Sequence, residues 1–465
     1  MTMTVAISQL PVPPRRIDAP PQTDPRRSAW SLPSRRPLGW LQLAALGIAM
    51  SVVCAPGARA QSEESEPAPA LGKFEAEPLP PPEKPFLVPD LSASVADQVQ
   101  VKSRTFTLKV GLVLIEDYTS FSQDTDSRAQ VGEQSSQWDI RAARLMLHGT
   151  IGQDYRIGYL VAGEYKGFES DPDSTWDLTD VALTFPLGGP ATKLTVGKTK
   201  ETFDYEMVGD SGSLPQQERV LNPFFVSRNI GVKVIHVTAG QRMTIAAGVF
   251  NDWWVGGGSF ADSGTDFSAR LTGLAWDQPD GTRFLHLGVS YRYAGADNDT
   301  LRYRGRPEIN VGDYYVDTGN LAADHASHLG LEALWNEGSV SLLSEYNRAW
   351  VSSPASGNPV FSGCYVTASW VLTGETRPYD RTTGYARRVM PKGRWGAPEL
   401  VARFSHEDLD DGAVQGGAFD KTYLGLNWWA TRRWKTGIGW GRTWLHRFGT
   451  TGVTDSIQTR LQWIF

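Results

Sequence analysis

From Thr105 to the chain's end, apolar and polar residues alternate in segments of about ten, and no other feature limits the possible folds so much. Successive side chains on a strand point to opposite faces, so each segment reads as a two-faced strand. The last is the plainest. Ile457, Thr459, Leu461, Trp463 and Phe465 share one face, and Ser456, Gln458, Arg460, Gln462 and Ile464 share the other. Sixteen such segments can be placed, near 105–117, 137–149, 153–165, 176–186, 191–200, 230–238, 242–251, 265–276, 283–294, 327–336, 339–349, 362–373, 398–406, 420–430, 434–445 and 454–465. Strands of roughly 9–11 residues, even in number and apolar on one face, suit a barrel closed in a lipid bilayer. The predicted fold is all-β: a 16-stranded antiparallel transmembrane β-barrel.

The connections provide an independent check. One set is short and built on Gly, Pro or Asp: Gly152-Gln153-Asp154, Gly188-Gly189-Pro190, Ala239-Gly240, Gln278 to Gly281, Glu337-Gly338 and Thr431-Arg432-Arg433. The alternate set is longer: 118–136, 201–229, 252–264, 295–326, 350–361 and 407–419. Short periplasmic turns and long outer loops are expected of such barrels. One inner connection, 374–397, breaks the pattern by its length.

Alternation also assigns faces. Leu400, Ala402 and Phe404 should meet lipid, as should Leu424, Leu426 and Trp428; Arg403 and Tyr423 should point inward. The predicted inward set is rich in cations: Lys109, Arg144, Arg156, Arg270, Arg292, Arg403 and Arg460. Glu164, Asp180, Glu332 and Glu345 oppose them.

Composition agrees. Charged residues are 21% of the chain, with 47 glycines, 17 tryptophans, 15 tyrosines and 18 phenylalanines. Nothing after Thr105 is apolar for the roughly 20 residues a helical span needs. A net charge of −6 argues against a nucleic-acid partner. The two cysteines, Cys54 and Cys364, provide no disulfide framework and no cysteine-based zinc site.

The N-terminal part reads differently. Arginine pairs up to Arg36, an apolar run from Pro37 to Cys54 and Ala58-Arg59-Ala60 predict a secretory signal peptide over 1–60, cleaved after Ala60. Residues 61–104 form a Pro-rich linker whose Pro, Glu and Ala content predicts disorder. The barrel occupies 105–465.

Two stretches carry a family resemblance. Gly197, Lys200, Glu201 and Phe203 are followed by Glu218-Arg219 and by Arg228 to Val232. Later come Leu372, Thr373, Gly374, Glu375, Arg377, Pro378 and Tyr379. With the aromatic ending, these resemble the phosphate-selective porin O and P family over roughly 105–465. The resemblance implies a trimeric, sixteen-stranded outer-membrane porin whose third and fifth outer loops, 201–229 and 295–326, fold into the lumen. An inward-folded periplasmic connection would accommodate 374–397. It also implies passive diffusion of small anionic solutes, phosphate or polyphosphate-like, past a ladder of arginines and lysines. Guanidinium suits that role because its planar fork donates paired hydrogen bonds and stays charged.

The candidate pore and anion-binding residues are therefore Arg219, Arg228, Lys200, Arg144, Arg270, Arg292, Arg403 and Arg460, with Asp180 as an acidic neighbour. The chain departs from the family where Arg141 is followed by Ala142, Ala143 and Arg144, one arginine short, and its 201–229 loop is largely acidic. A salt-bridge role remains open for Arg219 and Arg228. Other functions also remain open: a non-specific porin, a plugged structural barrel or an outer-membrane hydrolase. The seven histidines are scattered, no Gly-x-Ser-x-Gly elbow occurs, and neither a cofactor nor a metal is predicted.

Overall fold

The computed structural model describes residues 99–152, 156–165, 176–251 and 264–465. The signal peptide and most of the linker expected before Thr105 lie outside these residues, as do the 252–263 part of one outer loop and Gln153 and Asp154.

Sixteen strands close into one barrel. They are β1 (Phe106–Gln123), β2 (Gln137–Ile151), β3 (Ile157–Tyr165), β4 (Trp176–Pro186), β5 (Thr192–Thr199), β6 (Asn229–Val237), β7 (Met243–Asn251) and β8 (Thr265–Asp277). Then follow β9 (Arg283–Gly295), β10 (His325–Glu337), β11 (Val340–Ser352), β12 (Val360–Val371), β13 (Ala397–Asp411), β14 (Val414–Trp429), β15 (Trp434–Arg447) and β16 (Thr450–Ile464). Each pairs antiparallel with its sequence neighbour, and β16 returns to β1 from Val113↔Ile464 to Gln123↔Thr454. A short strand before them, Val99–Lys102, pairs with the start of β1 where β16 has run out. Every strand overlaps the segment expected at its position.

Closure leaves no free edge along the wall, so the backbone groups facing lipid are paired within the sheet. The alternation is visible in exposure. Leu400, Phe404, Leu424, Leu426, Trp428, Ile457 and Leu461 stand on the outside, while Arg403, Tyr423, Ser456, Gln458 and Arg460 are buried inside. On β15 the inward positions include Gly439. A Cβ there would come within 2.2 Å of the Tyr423 hydroxyl, so only glycine lets that ring lie flat on the wall.

Two expected outer connections differ. The 407–419 connection is almost entirely strand: β13 and β14 run on until only Gly412 and Ala413 separate them. Likewise β1 extends to Gln123 and is followed by a short helix, Thr125–Val131, capped where Ser127 N donates to Asp124 Oδ1 at 2.7 Å. Alternation persists in these polar strand ends, but the polar outer face resembles a loop in sequence.

The third and fifth outer loops enter the lumen, as does the long inner connection. Between the loops and one half of the wall lies an apolar core that includes Phe203, Leu221, Phe224, Tyr303, Phe361 and Phe419. The lumen is thus packed shut on the β9–β15 side.

Candidate solute passage

A cavity lies along β2 to β8. Its lining includes Arg144, Asp180, Lys200, Arg228, Lys233, Arg270 and Arg387, around about 170 Å³ of free volume. Taking the short turns as periplasmic, β2, β4 and β6 descend from the outside, so Arg144 and Asp180 stand above Met146 and Ala182.

The third loop forms the inner wall of this passage. Its tip reaches the opposite side of the barrel, where Gln462 Nε2 donates to Gly212 O (3.0 Å), Lys435 Nζ to Leu214 O (2.9 Å) and Asn427 Nδ2 to Pro215 O (2.7 Å). At its base, Glu345 accepts from the amides of Tyr205 (2.5 Å) and Glu206 (3.0 Å). Its returning limb is pinned by Arg141, whose Nε lies 2.6 Å from Glu218 Oε1. Arg141 reaches inward because β2 is irregular: Ile115 faces Ala142, but Asp117 already faces Asp139. The additional residue on β2 turns the chain by half a pleat. Burial favours the neutral form of Glu218, but the Arg141 guanidinium outweighs it and holds the carboxyl at about 2.

Several candidates lie together on the passage. Arg144 bonds Glu164 at 2.6 Å, and Arg228 bonds Asp180 at 2.8 Å. Lys200 follows the end of β5. It donates to the carbonyls of Val208 (3.1 Å) and Gly209 (2.8 Å) and lies 3.6 Å from Asp210. Arg270 grips Glu332 with two bonds, at 3.0 and 2.6 Å, and also donates to Thr383 O and Gly384 O of the inner connection. From that connection, Arg387 meets Asp380 and lies 3.6 Å from Asp210.

The structure places the others elsewhere. Arg219 donates to Glu206 O (2.6 Å) and Gly209 O (3.0 Å), tying the two limbs of the third loop together. Arg292 is fully enclosed between Glu201 (2.9 Å) and Asp266 (2.8 Å). Arg403 is enclosed with Glu206 and Glu308 beneath the loops, its guanidinium 3.7 Å from the Tyr365 ring centroid. Arg460 makes a two-bond pair with Asp117 at 2.7 and 2.6 Å. Strand parity points Arg292, Arg403 and Arg460 inward, but the folded loops cover Arg292 and Arg403.

Two lining cations were not among the candidates: Arg387 and Lys233. Lys233 was within reach, because Val232 faces lipid and its strand neighbour must then face the lumen. Its Nζ donates to Thr199 Oγ1 (3.0 Å) and Lys200 O (2.8 Å), and no carboxylate among the described residues comes within ion-pair distance.

A sequence profile of the family described as phosphate-selective porin O and P matches residues 109–463. An uncharacterized protein of Caulobacter vibrioides is 27% identical over 317 residues, covering 62% of this chain; the match spans 59% of that relative's own length. Among solved structures, an anion-selective porin from Comamonas acidovorans superposes with a TM-score of 0.51 at 12% identity, over 77% of this chain and 99% of that one. A loop-deletion form of OmpT, an outer membrane protein of Vibrio cholerae, reaches 0.49 at 11% identity over 78% and 100%. These structural likenesses concern the fold.

Proposed function

The chain belongs to the phosphate-selective porin O and P family, and from that premise we propose that it is an outer-membrane porin through which small solutes diffuse passively, with a preference for anions. Family and fold point to a channel rather than an enzyme. The observation that carries the anion preference is the lining of the passage. Six cations line it, Arg144, Lys200, Arg228, Lys233, Arg270 and Arg387, with three carboxylates, Asp180, Glu201 and Asp210, while Glu164, Glu332 and Asp380, which pair with Arg144, Arg270 and Arg387, stay out of the lining. An excess of fixed positive charge in a narrow passage with low-dielectric walls raises the local anion concentration and repels cations. In this reading Arg144, Arg228, Lys200 and Arg270 attract the anion, and Asp180 weakens its hold on Arg228 so that it can leave. Family membership alone supports assembly as a homotrimer, which cross-linking in native membranes would test.

The deciding measurement is the reversal potential of the purified protein in a planar bilayer under a potassium chloride gradient. The expected sign is that of a chloride-permeable pore. A potassium-selective potential sinks the anion reading, equal permeabilities leave a non-specific porin, and a silent bilayer leaves a plugged barrel.

A further inference from the structure

Within the anion-porin reading, on which this inference rests, we propose that the passage is shaped for amphiphilic organic monoanions, with a carboxylate at Lys233 and an apolar body on a belt just below it. Three descending strands share one pattern. Arg144 is followed on the same face by Met146, Asp180 by Ala182, and Lys233 by Ile235. The members of each pair are two positions apart, about 7 Å along the strand, with the apolar member nearer the periplasm. Two neighbouring strands add apolar side chains. Leu160 lies directly opposite Ala182, and Ala246 directly opposite Ile235. Met146, Leu160, Ala182, Ile235 and Ala246 thus give one wall of the passage an apolar part, bounded by His148 opposite Leu160 and by Lys193 opposite Ile235.

The charges themselves favour a weakly held monoanion. Free phosphate is strongly hydrated, and removing its water requires several donors to converge on it. Here each guanidinium has its charge matched by a carboxylate: Arg144 by Glu164, Arg228 by Asp180, Arg270 by Glu332 and Arg387 by Asp380. Lys233 differs, because no carboxylate among the described residues comes within ion-pair distance of it. An ammonium has three donors, and its two bonds, to Thr199 and to Lys200 O, leave one for a ligand. One donor matches one carboxylate oxygen. The apolar belt then provides what the charges do not, removal of a ring or short chain from water.

The test uses the full chain in planar bilayers, with acetate, hexanoate, benzoate and inorganic phosphate as blockers of the chloride current at fixed ionic strength. Hexanoate and benzoate should half-block at concentrations at least fivefold below acetate, and phosphate should bind less tightly than either. Lys233→Gln should raise the half-blocking concentration of every carboxylate about tenfold. Ile235→Asn should erase the difference between acetate and hexanoate, and the milder Ile235→Ala, which keeps the wall apolar, should halve it. The lipid-facing Leu426→Ala should keep the full series. An anion-selective pore with a flat carboxylate series, or with phosphate as its tightest blocker, overturns this proposal and leaves the porin reading intact. A potassium-selective reversal potential overturns both.

Discussion

Lys200 shows how one side chain can set a pore's response to pH. It leaves the wall where β5 ends at Thr199 and is enclosed by the third loop. Burial drives its ammonium down to about 7, Asp210 pulls the other way, and Arg228 and Arg219 add to the lowering. Such a group is charged below pH 7 and neutral above it. The chloride preference should therefore fall as pH rises from 6 to 8, and in Lys200→Gln the same titration of reversal potential should fall less. A wild-type preference that rises over this range excludes Lys200 as the titrating group. Residues also mark where sequence reading stops. Arg292, Arg403 and Arg460 were expected on the pore because parity turns them inward, and all three are indeed inside the wall. Whether an inward residue meets water or a folded loop depends on contacts from other parts of the chain, such as Glu206 and Glu308 on Arg403. Parity carries no information about those.

At the scale of elements, the strands were legible and the loops were not, for one physical reason. A strand in a barrel wall has two different solvents on its faces, so every second residue records which it meets. The third loop records nothing of that kind. It is held by carbonyl contacts at its tip and by Glu345 at its base, and any side chain of suitable reach could have made them. Its tip comes close to the wall at Gly212, where a Cβ would stand 2.5 Å from Ile464 Cδ1 and 3.2 Å from Gln462 Nε2. Gly212→Val should lift the tip from β14 to β16 and open the packed side of the lumen. Single-channel conductance should rise severalfold, with weaker chloride selectivity. An unchanged conductance, in protein that still shows the usual heat-dependent gel shift of a folded barrel, would mean the tip does not set the bore. The irregularity in β2 is likewise invisible in sequence. It restores an inward Arg141 just where the chain seemed an arginine short.

The whole molecule is closed by one seam, and an ion pair is buried on it. β16 meets β1 over eleven residues from Thr454 to Ile464, and Arg460 lies directly opposite Asp117 with both of their side chains almost wholly enclosed. The net charge of −6 says nothing of such a pair, because charge that is locally matched does not appear in the total. Breaking a buried pair by removing one partner leaves the other charged group without compensation, at a cost of about 3 kcal/mol or more. Replacing both partners by apolar residues removes that penalty. Arg460→Met should therefore lower the free energy of unfolding from lipid vesicles by about 3 kcal/mol. Combining Arg460→Met with Asp117→Leu should restore most of the loss. Because Arg460 does not line the passage, the reversal potential of the single variant should match that of the unaltered protein. A shift in selectivity without a loss of stability would instead place the guanidinium in the pore, and the seam would then need another source of strength. The expected pairing of a stability loss with unchanged selectivity separates what holds this barrel shut from what its passage admits.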